Sequence, residues 1–173
     1  QGALKVLGDS AFQEAMTGVD RPEDMERGLI AAIGETLDVV SRIAPVPELT
    51  DLFRIRWDFR NLRSLIKSSL LKLPTSDTGL TDGPGTVELA VMEKAVSEGD
   101  FAALPAVLAE AAREASDDYR NHGGLARVDH LLDSAMWKHQ LAVAAAHGNS
   151  FLERYFRTEI DLLNIRISVR IRQ

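Results

Sequence analysis

Residues 53–63 read Phe-Arg-Ile-Arg-Trp-Asp-Phe-Arg-Asn-Leu-Arg, and residues 156–166 read Phe-Arg-Thr-Glu-Ile-Asp-Leu-Leu-Asn-Ile-Arg. The two stretches align without a gap at an offset of 103 residues. We call them motif copies 1 and 2. The identical positions are Phe53, Arg54, Asp58, Asn61 and Arg63 in copy 1, and Phe156, Arg157, Asp161, Asn164 and Arg166 in copy 2. Such self-similarity is typical of a chain built from repeated units.

Helix signals surround both copies, so the sequence predicts an all-α fold. Apolar residues at intervals of three and four follow Asp20-Arg21-Pro22-Glu23, which is typical of an amphipathic helix that begins at a proline. Further helices are predicted at Leu4–Thr17, Pro47–Lys72, Val87–Ser97, Phe101–Asp118 and Leu125–Ala146, and from Ser150 onward. Ser150 and Glu153 have the spacing of a capping box at the start of the last helix.

The end of the chain is ambiguous. Ile167, Val169 and Ile171 alternate with polar residues, and that spacing is typical of a strand. If the two motif copies are equivalent, however, this segment corresponds to the helix predicted after copy 1. We therefore predict a helix here.

Loop signals divide the chain into three parts. Residues 1–73 form a first helical unit, residues 74–124 contain a loop and connecting helices, and residues 125–173 begin a second helical unit. The sequence starts at Gln1 without a methionine and ends inside a patterned segment. We therefore expect a fragment of a longer protein, truncated at both ends.

The carboxylate of the motif is predicted to be buried. At 100° per residue, Asp58 falls within the apolar stripe of its helix, and Asn61 lies at the edge of that stripe. Buried polar groups need hydrogen-bond partners, so each Asp and Asn is expected to hold a backbone end or loop of a neighbouring helix. Arg54 and Arg157 stand four residues upstream of each Asp and are expected to pair with it. The alternative is a paired-carboxylate or metal site made by Asp58 and Asp161.

A basic stripe follows the same helix as copy 1. Arg56, Arg60, Arg63 and Lys67 fall at nearly one angle around the helix axis. One interpretation is a partner-binding surface for an acidic protein or for lipid head groups. The other interpretation is an ordinary solvated helix face.

Composition excludes several classes of function. The formal net charge is −6, which argues against a nucleic-acid platform. There is no cysteine, no phosphate-binding Gly-Lys-Ser/Thr loop and no His-Glu-x-x-His, and no apolar run approaches the roughly 20 residues of a membrane span. The four histidines do not have the spacing of metal ligands. We therefore predict no cofactor and no metal site.

The repeat resembles the C-type subunits of V/A-type rotary ATPases and ATP synthases, whose eukaryotic counterpart is the vacuolar d-type subunit. That family repeats a phrase like Val128–Asp133, followed by a stretch like Tyr155–Arg166. The resemblance implies a funnel- or socket-like helical bundle without an active site of its own. It also implies a place in the central stalk, at the cytoplasmic face of the membrane, where such a protein couples the shaft subunits to the proteolipid ring during proton or sodium transport.

Two hypotheses from other classes stay open on the sequence alone. A soluble all-helical regulatory module would bind a small molecule or peptide in an enclosed apolar pocket of roughly 300–1,000 Å³. An enzyme would have only Asp58 and Asp161 as candidate catalytic groups, and both carboxylates would have to converge on one substrate.

Overall fold

The computed structural model describes residues 22–74 and 79–171. Within these ranges the chain forms six α-helices and no strand, which confirms the all-α prediction. The helices are α1 (Pro22–Ile43), α2 (Pro47–Leu71), α3 (Leu89–Glu98), α4 (Ala106–His122), α5 (Leu125–Ala146) and α6 (Ser150–Ile171). The helix predicted at Leu4–Thr17 lies outside the described residues.

The starts of α3 and α4 and the cap of α6 differ from the sequence prediction, and α3 begins at Leu89 rather than Val87. Helix α4 begins at Ala106 rather than Phe101, because Pro105 stands before the first turn in an extended conformation and its carbonyl accepts the first helical bonds. The cap of α6 is Asn149 rather than Ser150. The Asn149 Oδ1 accepts a hydrogen bond from the Leu152 N–H at 3.0 Å, so the asparagine satisfies an N–H group that the helix leaves free.

The ambiguous tail is helical. Helix α6 continues through the alternating residues to Ile171, as equivalence of the two motif copies predicts. Both motif copies therefore lie on helices, copy 1 in α2 and copy 2 in α6.

Helix α2 is the centre of the fold. It contacts α1, α3, α4 and α5, while α5 also packs against α4 and α6. The larger core gathers apolar side chains of α2, α3, α4 and α5 around residues such as Phe59, Leu62 and Leu108. Each well-buried aliphatic or aromatic side chain contributes about 1.5–3 kcal/mol, so this core is the main source of stability.

A smaller apolar cluster joins the start of α2 to the end of α5 and the start of α6. It contains Leu52, Ala144, Leu152 and Phe156. The larger core draws residues from all three of the predicted segments, 1–73, 74–124 and 125–173. The division of the chain into units at those boundaries stays a prediction, as does the funnel or socket shape.

Candidate functional site

In copy 1, the carboxylate of Asp58 binds the loop that precedes α3. Both Asp58 oxygens lie 3.0 Å from the Thr86 N–H, the Thr86 hydroxyl donates to Oδ2 at 2.7 Å, and the Val87 N–H donates to Oδ1 at 3.2 Å. The side chain is completely buried. The expected tie between Asp58 and a loop is therefore present.

Asn61 binds the same loop one helical turn further along. Its Nδ2 donates to the Thr81 carbonyl at 2.7 Å, and its Oδ1 accepts from the Thr81 N–H at 3.0 Å. The amide thus satisfies both backbone groups of one loop residue. We call Asp58, Asn61 and the loop residues 81–87 that they bind the loop clamp.

The clamp depends on a close approach between Gly85 and Asp58. A Cβ atom at Gly85 would overlap the Asp58 carboxylate, so a residue without a side chain is required there. Arg54 donates to the Gly85 carbonyl at 3.4 Å and pairs with Asp38 of α1 and with Asp51. The predicted pair between Arg54 and Asp58 is not formed, because Asp58 binds N–H and hydroxyl donors of the loop instead.

The electrostatics of Asp58 reflect two opposed effects. Burial disfavours the charged carboxylate and raises the pKa of Asp58, while the hydrogen bonds from Thr86 and Val87 act in the opposite direction. Burial is the larger effect. A carboxylate held in this way organises a loop, and its lone pairs point into protein rather than toward a substrate.

Copy 2 presents the same residues in a different environment. Arg157, Asp161 and Asn164 are all exposed. Within the described residues, the Asp161 carboxylate and the Asn164 amide make no hydrogen bond to a loop, and Arg157 makes no ion pair with Asp161. The expectation that the Asp and Asn of both copies hold neighbouring segments is therefore met in copy 1 alone, within the part of the chain that the structure describes.

The apolar positions show the same contrast. Phe59, Leu62 and Ile66 are 1%, 0% and 1% exposed in copy 1 and the turn that follows it. The residues 103 positions later are mostly exposed: Leu162 is 61% exposed, Ile165 is 60% exposed and Val169 is 53% exposed. Apolar side chains thus occupy equivalent positions in α2 and α6, but among the described residues they are covered only in α2.

The two copies touch each other at equivalent positions. The ring centroids of Phe53 and Phe156 lie 5.9 Å apart, and Arg56 pairs with Glu159. The offset between each pair of partners is again 103 residues. The guanidinium of Arg56 also lies 5.1 Å from the centroid of the Trp137 ring, which adds a cation–π contact with α5. The start of the motif therefore joins α2 to α5 and α6.

The basic stripe is neutralised within the chain. Arg56 pairs with Glu159, and Arg60 lies 3.4 Å from Glu26. The remaining members reach α5, where Arg63 pairs with Asp129 and Asp133, and Lys67 binds Asp129 at 3.0 Å. This arrangement corresponds neither to a free basic surface nor to a plain solvated face. The partner-binding interpretation of Arg56, Arg60, Arg63 and Lys67 stays a prediction.

A groove lies between α4 and α5. It has a volume of about 630 Å³, and Glu110, Glu114, Lys138 and His139 are among its lining residues. Burial lowers the pKa of His139. The volume falls within the range expected for the regulatory-module hypothesis, but the groove is partly open and carries four titratable side chains, unlike an enclosed apolar pocket.

Asp58 and Asp161 do not form a common site, since one is buried against residues 86 and 87 and the other is exposed. Among the residues that the structure describes, no cluster of three or more His, Asp or Glu side chains is placed to hold a metal ion. In the same part of the chain, no helix is both long and apolar enough to cross a bilayer.

Comparison with known proteins decides the family. The sequence model of the ATP synthase (C/AC39) subunit family matches residues 1–173, the whole chain. The chain belongs to the ATP synthase (C/AC39) subunit family. The resemblance inferred from the two motif copies is thereby confirmed, and the chain is a member of a family of ATP synthase subunits.

Individual relatives of the C/AC39 chain agree with this result. The C-type subunit of the A-type ATP synthase of Methanothermobacter thermautotrophicus is 27% identical over 157 residues, which cover 84% of this chain and 40% of the relative. The protein of the same name from Methanosphaera stadtmanae is 25% identical over 156 residues, with the same coverage. That of Thermococcus kodakarensis is 29% identical over 100 residues, which cover 55% of this chain and 27% of the relative.

The C/AC39 chain thus corresponds to at most two fifths of the length of these relatives. No solved structure matches the chain.

Proposed function

We propose that this protein is a non-catalytic subunit of the central stalk of a rotary ATPase. In this role it is a socket at the cytoplasmic face of the membrane that couples the central-shaft subunits to the proteolipid ring while protons or sodium ions are transported. The observation that carries the proposal is the match of the ATP synthase (C/AC39) subunit family to the entire chain.

The packing of the chain supports a mechanical role. Torque passes through a protein only if its elements do not slide against one another, and close-packed interiors deform little. Here α2 is tied to α1 through Arg60 and Glu26, to α5 through Lys67 and Asp129, and to α6 through Arg56 and Glu159. The loop clamp adds a fourth tie, to the segment that leads into α3.

Cross-linking in an intact rotary ATPase that contains this protein tests the proposal. Lys72, Lys94 and Lys138 are exposed and lie at the end of α2, in α3 and in α5. A lysine-reactive cross-linker followed by mass spectrometry should join them to central-shaft subunits and to the proteolipid ring. Cross-links that lead solely to stator or catalytic-head subunits would contradict a place in the central stalk.

Two additions sharpen this experiment. Lys94→Arg keeps the charge but removes one attachment point, so it identifies the cross-links that come from α3.

The coupling of ATP hydrolysis to ion transport gives an independent readout. A protein without catalytic groups should affect ion transport more than ATP hydrolysis. Removal of the protein from the complex should abolish ATP-driven ion transport while the catalytic head continues to hydrolyse ATP. If the catalytic head no longer hydrolysed ATP once this protein had been removed, that result would argue against a purely mechanical role.

A further inference from the structure

We propose that the groove between α4 and α5 is a docking site for an α-helix of another subunit of the complex. The partner helix has a face of small and apolar side chains, and basic residues one helical turn apart stand along one edge of that face. This inference goes beyond the stalk role, because it names a surface and the chemistry of the partner that fits it. It holds whichever subunit supplies the helix.

The floor of the groove is apolar and has small side chains. Its lining residues include Ala106 and Ala111 on α4, and Ala135 and Ala142 on α5. The lining follows α4 to Glu114 and α5 over residues 131–142, stretches of roughly 12 and 16 Å at 1.5 Å per residue. Small side chains at a contact let two helix axes approach closely. The groove therefore has room for about two to three turns of a third helix, as in helix-in-groove recognition.

The floor is already formed in the chain itself. Ala111 is buried, and Leu131 and Ala135 pack against the larger core. Helices α4 and α5 also pack directly against each other. A partner helix thus meets a surface whose shape does not have to be built during binding, which lowers the cost of association.

Two carboxylates of α4 form an acidic wall of the groove. Glu110 and Glu114 line the groove and are exposed, and their spacing of four residues places them one turn apart on the same helix face. Among the described residues, neither makes an ion pair. Asp118, further along the same helix, is instead paired with Arg127. The two unpaired carboxylates repel each other, so basic side chains of a partner would stabilise this wall.

The opposite wall, on α5, has the other sign of charge. Lys138 is exposed and His139 is half-buried, and both line the groove. Burial lowers the pKa of His139, so Lys138 is the cation of this wall at neutral pH. In the part of the chain that the structure describes, the two walls make no ion pair with each other. Opposite charges on the two walls fix the direction in which a helix with one basic and one acidic edge can lie.

Thiol reactivity tests whether the groove is occupied in the complex. The sequence contains no cysteine, so an introduced thiol reports on one position of this chain. Ser134→Cys places a thiol in the groove, and Ala126→Cys places one at an exposed site of α5 outside it. Reaction with a maleimide is measured for each variant as the free chain and in the intact rotary ATPase. We expect the thiol at position 134 to react about tenfold more slowly in the complex, and the thiol at position 126 to react similarly in both.

Charge reversal tests the chemistry of the partner. Glu110→Lys combined with Glu114→Lys should restore fast reaction at position 134, because the altered wall repels the basic edge of the helix. Glu35→Lys combined with Glu98→Lys changes the net charge by the same amount at exposed positions outside the groove, so it should leave the protection unchanged.

Three results would overturn the proposal. The first is an equal reaction rate at position 134 in the free chain and in the complex. The second is equal protection at positions 134 and 126, which would mean general occlusion of α5. The third is protection that persists after reversal of the charges at Glu110 and Glu114.

Photo-cross-linking identifies the occupant. A benzophenone maleimide is attached to the Ser134→Cys variant in the complex, and the cross-linked peptide is identified by mass spectrometry. We expect a peptide of another subunit with lysine or arginine residues three or four positions apart. A cross-link to a second copy of this chain, or to an acidic peptide, would contradict the proposal. A basic helix of a stator subunit would support the docking site and contradict the stalk role, so the two proposals are tested separately.

Discussion

Motif copies 1 and 2 have the same residues at the same spacing and the same helical backbone, yet their surroundings differ. In copy 1, Asp58 is 0% exposed and Leu62 is 0% exposed. At the equivalent positions of copy 2, Asp161 is exposed and Ile165 is 60% exposed. The motif therefore sets which side chains share a helix face, while the segment that packs over that face determines whether they are buried. Paired substitutions in the two copies measure this difference directly.

The largest expected contrast concerns the apolar positions. Leu62→Ala should lower the free energy of unfolding by about 2–5 kcal/mol, because it leaves a cavity in the larger core. Ile165→Ala, at the equivalent position of copy 2, should change the free energy of unfolding by less than about 0.5 kcal/mol, since the side chain is 60% exposed. Urea denaturation followed by circular dichroism measures both values. Equal losses in the two variants would mean that the copies have equivalent environments after all.

Much of copy 1 could be predicted from the sequence because helical geometry is local. The 100° step per residue places Asp58 among apolar neighbours, and a buried carboxylate requires hydrogen-bond donors. The identity of those donors could not be predicted, because Thr86 is 28 residues away and its position depends on the path of the loop. The only local signal was the crowding of turn-forming residues at 82–85.

The ion pairs of the basic stripe were missed for a similar reason. Arg63 and Lys67 meet Asp129 only because α5 packs along α2 in one particular register. The spacing of basic residues on α2 gives no information about the carboxylates of another helix. The exposure of copy 2 could not be predicted from the sequence either. Identical motif residues predict identical environments unless the segment that covers them is known.

A second paired substitution addresses the polar clamp. Asp58→Ala should cost about 2–3 kcal/mol, because the N–H groups of Thr86 and Val87 then lose their acceptor. Asp161→Ala, the matched variant, should stay within about 0.5 kcal/mol of the wild type. Denaturant midpoints of the two variants give the comparison. A large cost for Asp161→Ala would show that copy 2 also holds a buried segment in this chain.

The close approach at Gly85 gives a smaller but more specific effect. Gly85→Ala should destabilise the chain by about 1–2 kcal/mol, because the new Cβ overlaps the Asp58 carboxylate. In the Asp58→Ala background the same substitution should cost little, since the overlapping group is gone. A double-mutant cycle from four unfolding curves measures this coupling. Additive effects would indicate that Gly85 is required for a reason other than its contact with Asp58.

Asp58 contributes to the free energy of unfolding through the loop clamp, and only part of this contribution depends on pH. Burial raises the pKa of Asp58 in the folded state above its ordinary value of 3.8. The folded chain therefore retains a proton over a pH range in which the unfolded chain has already released it. The contribution linked to this proton is complete below pH 3.8 and is lost as the pH rises through the folded-state pKa. The stability of the wild type relative to Asp58→Asn should thus fall with rising pH in that window.

Unfolding free energies at closely spaced pH values, measured for the wild type and for Asp58→Asn, give this difference. Asp161→Asn removes the same unit of charge from an exposed position, so it controls for the change in net charge. A wild-type advantage that grows with rising pH would reverse the sign. It would mean that the hydrogen bonds from Thr86 and Val87 favour the ionised carboxylate by more than burial disfavours it.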